Sequence, residues 1–324
     1  MSTTDHPVPP TDPQIEPEWL HIRDEIFGNE NLSVTAELLD IARTLGPSLE
    51  QVLDGRPYQE RTIAVPGPAG DVALSIFTPD GRDASGAGLV WVHGGGMVMG
   101  DRYGITEALD LAEPSGAVVV SIEYRRAPEH PAPALVDDSY AALRWVGEHA
   151  AELGIDPARL VFGGTSGGGG IAASTALRVR DQGGPALAGV MLLCPMLDDR
   201  MATVSAQQCA AGYPWTAASN EFGWRALLGE RYQTDDVTIY EVPGRAHELG
   251  GLPPTYLDVG SVDLFRDEDV DFANRIWAAG GDAELHVFPG AFHGYDINMP
   301  AAAISQDTVE VRRRWLARIL GRTA

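Results

Sequence analysis

The chain has 324 residues, 44% hydrophobic and 21% charged, the balance of an ordinary globular protein and not of a disordered one. Acidic residues outnumber basic ones 46 to 23, a formal net charge of −23 that repels phosphate backbones and anionic lipid, so neither nucleic acid nor stable membrane association is expected. Every basic residue is arginine, and the lack of lysine removes Schiff-base enzymes, Walker-type phosphate loops and Ser–Lys hydrolases together.

The first dozen residues are rich in Pro, Thr and Asp and read as a tail. No basic segment followed by an apolar core marks a signal peptide, and no apolar run reaches about 18 residues, so a cytoplasmic location is the expectation. From 17 to 53 the spacing is helical: Trp19, Ile22 and Ile26, then Leu38, Leu39, Ile41 and Ala42, recur at three and four. After Pro57 short β-rich runs alternate with helical stretches. Segments 62–65 and 72–77 predict an opening hairpin around Pro66-Gly67-Pro68-Ala69-Gly70. Further strands are predicted at 89–92, 117–122, 160–162, 190–193, 255–259 and 284–288, and helices at 106–111, 135–150, 167–180, 268–279 and 301–319. Continuous apolar strands separated by helices mean an α/β fold with a mostly parallel sheet buried on both faces.

About 60 residues separate the strand ending near Pro195 from the one starting near Thr255. They carry Trp215, Phe222, Trp224, Leu227, Leu228 and Tyr232, an aromatic insertion expected to fold over the edge of the sheet as a lid. The expected organisation is a tail with cap helices over 1–54, a core over 55–198 and 251–324, and a cap insertion over 199–250. Cys194 and Cys209 are the only cysteines. They are too few for a disulfide scaffold and contain no C-x-x-C pair for structural zinc.

Gly164-Thr165-Ser166-Gly167-Gly168 fits G-x-S-x-G. A strand enters it and a helix leaves it, a sharp turn that presents the serine hydroxyl at its tip. The plainer reading is a glycine-rich helix start that turns or binds an anion. His93-Gly94-Gly95-Gly96 follows the strand at 89–92. The backbone N–H groups of Gly95 and Gly96, with that of Gly167, are candidate donors to an oxyanion. The alternative is a flexible glycine turn, and His93 itself reads as a prop for the loop. Serine needs a base that an acid holds in place. Of eight histidines, His293 follows the last strand in PGAFHGYD, at the carboxyl edge of the sheet where α/β sites gather. Asp263, shortly after the strand at 255–259, hangs from the same edge between serine and histidine in chain order. Asp267, Glu268, Asp269 and Asp271 behind it suit the start of a helix.

These motifs together resemble the hormone-sensitive lipase family of α/β-hydrolases, in its bacterial esterase branch. The resemblance covers about residues 60–320 and rests on HGGGMVMG at 93–100, YRRAPEHPAP at 124–133, GTSGGGG at 164–170, and DLFRDE and FHGYD toward the C-terminus. It implies an α/β-hydrolase fold, a mostly parallel eight-stranded sheet flanked by helices under a helical cap made from the N-terminal helices and the insertion. It implies a Ser166–Asp263–His293 triad, the three oxyanion donors named above, and a brace in which Arg125, Glu129 and Asp138 hold loops by ion pairs. Two departures stand out: Thr165 where many members carry Asp, and Gly167 where many carry Ala.

The expected activity is hydrolysis of a small-molecule carboxylic ester, with short to medium or bulky acyl groups, through an acyl-enzyme and with no metal or organic cofactor. Lactone opening, including macrocyclic lactones such as zearalenone, uses the same chemistry and is the alternative. A non-catalytic ligand-binding receptor on the same fold is the remote one. Met97, Met99, Trp215, Phe222, Trp224 and Phe292 are candidates for an apolar substrate pocket or for the core of the cap. Related esterases often pair through the last strand and helix, so a homo-oligomer is a further expectation.

Overall fold

The structure, a computed structural model, describes residues 33–81, 86–210 and 214–321. The expected tail and the helical spacing at Trp19, Ile22 and Ile26 lie outside the described residues. Helices α1 (Leu39–Ala42) and α2 (Leu49–Leu53) come first. Ser48 and Gln51 cap α2 reciprocally, each side chain accepting the other's backbone N–H, which satisfies two otherwise orphaned donors.

The sheet is built from β1 (Tyr58–Gly67), β2 (Gly70–Pro79), β3 (Gly86–Val92), β4 (Val118–Glu123), β5 (Ile155–Thr165), β6 (Gly189–Leu193), β7 (Thr255–Gly260) and β8 (Ala283–Phe288). Its order is β1-β2-β4-β3-β5-β6-β7-β8. The first two strands form an antiparallel hairpin and the other six run parallel. Every residue of β6 and β7 is buried, and β3 and β4 expose only one end. This is why they read as unbroken apolar runs: helices cover both faces. By contrast, β1 is longer than its predicted core at 62–65, pairing continuously from Tyr58 opposite Pro79 to Gly67 opposite Gly70. Gln59, Glu60 and Arg61 extend this edge strand without contributing an apolar signal.

Between the strands lie α3 (Thr106–Ala112), α4 (Ala134–Glu148), α5 (Gly167–Gln182) and α8 (Arg266–Ala278), and α9 (Tyr295–Asn298) and α10 (Ala303–Ile319) follow β8. The two faces of the sheet bury separate apolar clusters. One holds Phe162, Leu192, Leu257 and Phe272. The other packs Trp91, Tyr256, Trp315 and Leu316 under α3 and α10. Because β3, β5, β6, β7 and β8 are parallel, the loops leaving them gather at one rim, where α/β proteins build their sites.

The long insertion forms α6 (Val204–Gln208) and α7 (Ala217–Leu228). The hydroxyl of Thr216 accepts from Ser219 N to start α7. Ser33 and Val34 reach the same corner, through the Thr216 hydroxyl at 2.8 Å and the Ser219 hydroxyl at 2.9 Å. The expected brace is divided. Arg125 holds Asp138 with two guanidinium contacts of 2.8 Å, whereas Glu129 pairs with Arg43 at 2.7 Å. Arg43 also donates to Val98 O and Ala127 O, so it ties the N-terminal segment to the loop after β3. Among the described residues, no helix is long and apolar enough to cross a membrane.

The deepest ion pairs join β7, α9 and α10. Arg312 grips both oxygens of Asp258, at 2.6 and 3.0 Å, and also bonds Asp296. The Tyr256 hydroxyl donates to Asp258 at 2.9 Å. Arg312 and Asp258 are each 2% exposed, so solvent cannot replace the guanidinium. Arg312→Met is therefore expected to lower unfolding free energy by about 3–5 kcal/mol, the range for stranding buried charge. Urea denaturation at neutral pH measures it, and a loss under about 1 kcal/mol, the scale of an exposed pair, would contradict the assignment.

Candidate active site

Strand β5 ends at Thr165 and α5 starts at Gly167, so Ser166 alone makes the turn, at φ 57° and ψ −123°. A non-glycine residue held there costs about 1–3 kcal/mol and persists only where its surroundings dictate it. Here the surroundings are backbone. Ser166 N donates to Leu193 O at 2.8 Å, and Ser166 O accepts from Gly170 N and Met196 N at 3.0 Å. A Cβ on Gly164 would lie 2.5 Å from Gly168 O, and one on Gly168 would lie 2.2 Å from the carbonyl oxygens of Val92 and His93. Only glycine lets strand, helix start and the loop after β3 meet this closely. Beneath the turn, the Thr165 hydroxyl donates to Glu107 Oε1 at 2.7 Å, and Trp91 Nε1 donates to the same oxygen at 3.2 Å. Glu107 is on α3, and burial pushes its carboxyl pKa up.

The loops after β7 and β8 bring Asp263 and His293 together. Ser166 Oγ lies 2.9 Å from His293 Nε2, and His293 Nδ1 lies 2.7 Å from Asp263 Oδ2. The second carboxylate oxygen of Asp263 accepts from Phe265 N at 3.0 Å. The Phe265 ring stands edge-on to the imidazole, 5.2 Å between centroids. Asp263 has no exposed side-chain surface and His293 keeps 10%. A buried carboxylate on Nδ1 sets the tautomer with its proton there, which leaves Nε2 free to accept from the serine. The two loops are also stitched together, Val262 N to Ala291 O at 2.9 Å and Ser261 N to Phe288 O at 2.8 Å.

Facing the serine is the loop after β3. Gly95 and Gly96 have φ of 113° and 56°, which turns the backbone back on itself. Among the described residues, the N–H groups of Gly95, Gly96 and Gly167 donate to no partner. Gly167 and Gly96 are close to one another: a Cβ on Gly167 would lie 2.9 Å from Gly96 N and 2.7 Å from Met97 N. Unpaired backbone donors of this kind are the groups that can receive a developing negative charge. His93 supports this loop. Its Nδ1 donates to Gly94 O at 2.8 Å, its ring stacks on Tyr124, and the Tyr124 hydroxyl donates to His93 O. Burial lowers its pKa to about 4, so it is neutral at pH 7. Unfolded, the same imidazole takes a proton near about 6.5. Between those values only the unfolded chain binds that proton, and His93 therefore draws stability down as pH falls.

The apolar candidates separate by burial. Met97, Trp215 and Phe292 are 2%, 4% and 6% exposed, and Met99 and Phe222 are half-buried. Trp224 has no exposed surface and packs with the core, so it offers no face to a substrate. Trp215 lies on the glycine loop, its Cη2 2.0 Å from where a Cβ of Gly96 would be. Trp215 Nε1 donates to Asn220 Oδ1 at 3.2 Å. Gly223 of α7 backs this contact: a Cβ there would approach Gly96 O at 2.8 Å. Sequence reasoning missed Glu107, the Asp258–Arg312–Asp296 network and Cys194, whose Sγ lies near the acid–base pair. A signal for two of these existed. Glu107 interrupts the apolar face of ITEALDLA, and Arg312 falls in the stripe of Thr308, Trp315 and Leu316.

Comparison with known proteins agrees with this geometry. The sequence profile of the alpha/beta hydrolase fold matches residues 89–297. Esterase LipI of Mycobacterium tuberculosis is 35% identical over 249 residues, 72% of this chain and 73% of its own length. Carboxylesterase NlhH of the same organism is 36% identical over 258 residues, 76% of this chain and 78% of its own. Among solved structures, a bacterial heroin esterase superposes with a TM-score of 0.78 at 36% identity, over 88% of this chain and 97% of its own.

Gly96→Ala tests the cradle. The new methyl meets the Trp215 ring and forces a left-handed φ on alanine, so the loop must shift away from Gly167. Steady-state ester hydrolysis should lose about 10- to 1,000-fold in kcat, approaching the loss of one oxyanion donor, with the circular-dichroism spectrum preserved. Unchanged kcat in folded protein would mean that Gly96 donates nothing.

Proposed function

The chain belongs to the hormone-sensitive lipase-like family of alpha/beta hydrolases and is a carboxylic ester hydrolase, and from this premise we propose that Ser166 is its nucleophile, His293 its base and Asp263 the acid that holds that base. The observation that carries the reading is the unbroken relay from Ser166 Oγ to His293 Nε2 at 2.9 Å and from His293 Nδ1 to Asp263 Oδ2 at 2.7 Å, on a strained turn.

His293 Nε2 takes the hydroxyl proton as Oγ attacks the ester carbonyl carbon. The carbonyl oxygen becomes an oxyanion among the N–H groups of Gly95, Gly96 and Gly167. Asp263 offsets the imidazolium without itself taking the proton. His293 then gives its proton to the departing alkoxide, leaving an acyl group on Ser166. Water, deprotonated by the same Nε2, attacks that acyl carbon, and the carboxylic acid leaves as Oγ recovers the proton.

Short acyl groups fit this arrangement best. The indole of Trp215 is packed on Gly96 and backed by Gly223, so little room remains beside the oxyanion for a long chain. Met97, Met99, Phe222 and Phe292 complete the apolar surroundings in this reading. A homo-oligomer joined at β8 is supported by that strand's position at the sheet edge, where it is only half-buried.

A panel of p-nitrophenyl esters of graded acyl length, run beside simple and macrocyclic lactones, tests the substrate class. Activity should peak at short acyl chains, and faster turnover of a lactone than of every ester would redirect the reading. Ser166→Ala should lower kcat by about 10⁶ and Asp263→Asn by about 10⁴. A folded Ser166→Ala enzyme within tenfold of the parent would place the nucleophile elsewhere.

A further inference from the structure

Cys194 directly follows β6 and has no role in the chemistry described above. Its φ is 37° and its N–H donates to Asp258 O at 2.7 Å, which fixes it to the strand that leads to Asp263. Its Sγ, a ring nitrogen of His293 and a carboxylate oxygen of Asp263 all lie within 4.8 Å of one another, and all three residues are buried. A thiol, an imidazole and a carboxylate are the donor types that zinc combines in protein sites.

We propose that Cys194, Asp263 and His293 form a site for a soft divalent cation, Zn²⁺ or Cd²⁺, whose binding switches the esterase off. The inhibitory half of this inference rests on the triad reading; the site itself rests on the three side chains. Zinc bonds of about 2.0–2.3 Å place tetrahedral ligands about 3.3–3.8 Å apart. The carboxylate and imidazole must therefore separate slightly and the sulfur approach by no more than about 1.0–1.5 Å. Selectivity follows from the thiolate, which favours zinc and cadmium over magnesium and calcium. Charge also closes: a dication with one thiolate and one carboxylate is neutral, so the buried site gains no net charge. A chain of net charge −23 raises the local concentration of cations around it.

The step is a ligand exchange without electron transfer. The metal–sulfur bond forms as the thiol proton leaves to solvent. The imidazole stays neutral and keeps its one proton on the nitrogen that the metal does not take. Either nitrogen disables catalysis. Nδ1 is the one that Asp263 orients, and Nε2 is the one that must accept from Ser166.

Two readouts on the whole protein test this. Hydrolysis of a short-chain p-nitrophenyl ester is titrated with ZnCl₂, CdCl₂ and MgCl₂, each rate being taken relative to the same variant without metal. Cadmium binding is followed separately by the ultraviolet thiolate-to-cadmium charge-transfer band. Zinc and cadmium should inhibit, magnesium should not, and EDTA should restore activity. Cys194→Ser should raise the inhibitory concentration at least about tenfold and abolish the band, whereas Cys209→Ser should change neither. Ser166→Ala, inactive on esters, should keep a band of one equivalent per chain. No band in the parent, or a band that survives Cys194→Ser, overturns the site. A Cys194-dependent band without inhibition overturns the inhibitory switch, and with it the role of His293 as base, while leaving the site standing.

Discussion

A single residue of strained backbone organises this molecule. Ser166 occupies a left-handed conformation because β5 and α5 leave one position for the change of direction. The strain is tolerated because Gly164 and Gly168 bring backbone against backbone on every side. Any side chain at these glycines would push the loop after β3 away from the helix start. The same contacts that force the turn therefore also set the distance between the hydroxyl and the amides of Gly96 and Gly167. Below them, Thr165 and Trp91 share an oxygen of buried Glu107. The turn is thus anchored from inside as well as walled by its neighbours.

Asp263 and His293 are held by a different device. Asp263 and His293 lie on loops, which are mobile by default. These loops are fastened at their roots. Arg312 bridges Asp258, on the strand that leads to Asp263, and Asp296, just beyond His293. Two backbone hydrogen bonds join the loops directly. A buried arginine between two buried carboxylates has few alternative geometries, so the relay inherits the rigidity of the sheet. The aromatic insertion adds a third constraint through Trp215, which packs on Gly96 of the loop after β3.

Much of this was legible in the sequence because its signals are local. Eight apolar runs became eight strands, since parallel strands covered on both faces cannot hide their composition. Motif and chain order single out Ser166, Asp263 and His293, and the structure brings these three side chains into contact; the strand–turn–helix around Ser166 is readable because its tight turn demands small residues at that spacing. The remainder depends on distant partners. Glu129 bonds to Arg43, 86 residues away, and not to Arg125 of its own motif, which holds Asp138. Arg312 pairs with an aspartate 54 residues distant; its place in the stripe of Thr308, Trp315 and Leu316 signals burial, but not the partner. Trp224 reads the same in sequence as Trp215, yet only the latter reaches the glycine loop; Trp215 lies in the segment just before α7, whereas Trp224 is a buried residue of the helix itself. Strand β1 ran longer than its apolar pattern because an edge strand extends through charged residues.

Mapping the covalent intermediate tests the central claim most directly. A fluorophosphonate, or an acyl ester trapped by rapid acid quench, is reacted with the intact protein, which is then digested and sequenced by tandem mass spectrometry. The adduct should fall on the peptide containing Gly164–Gly170 and localise to Ser166, at one equivalent per chain. An adduct on any other residue, or full turnover with Ser166 left unmodified, would contradict the account.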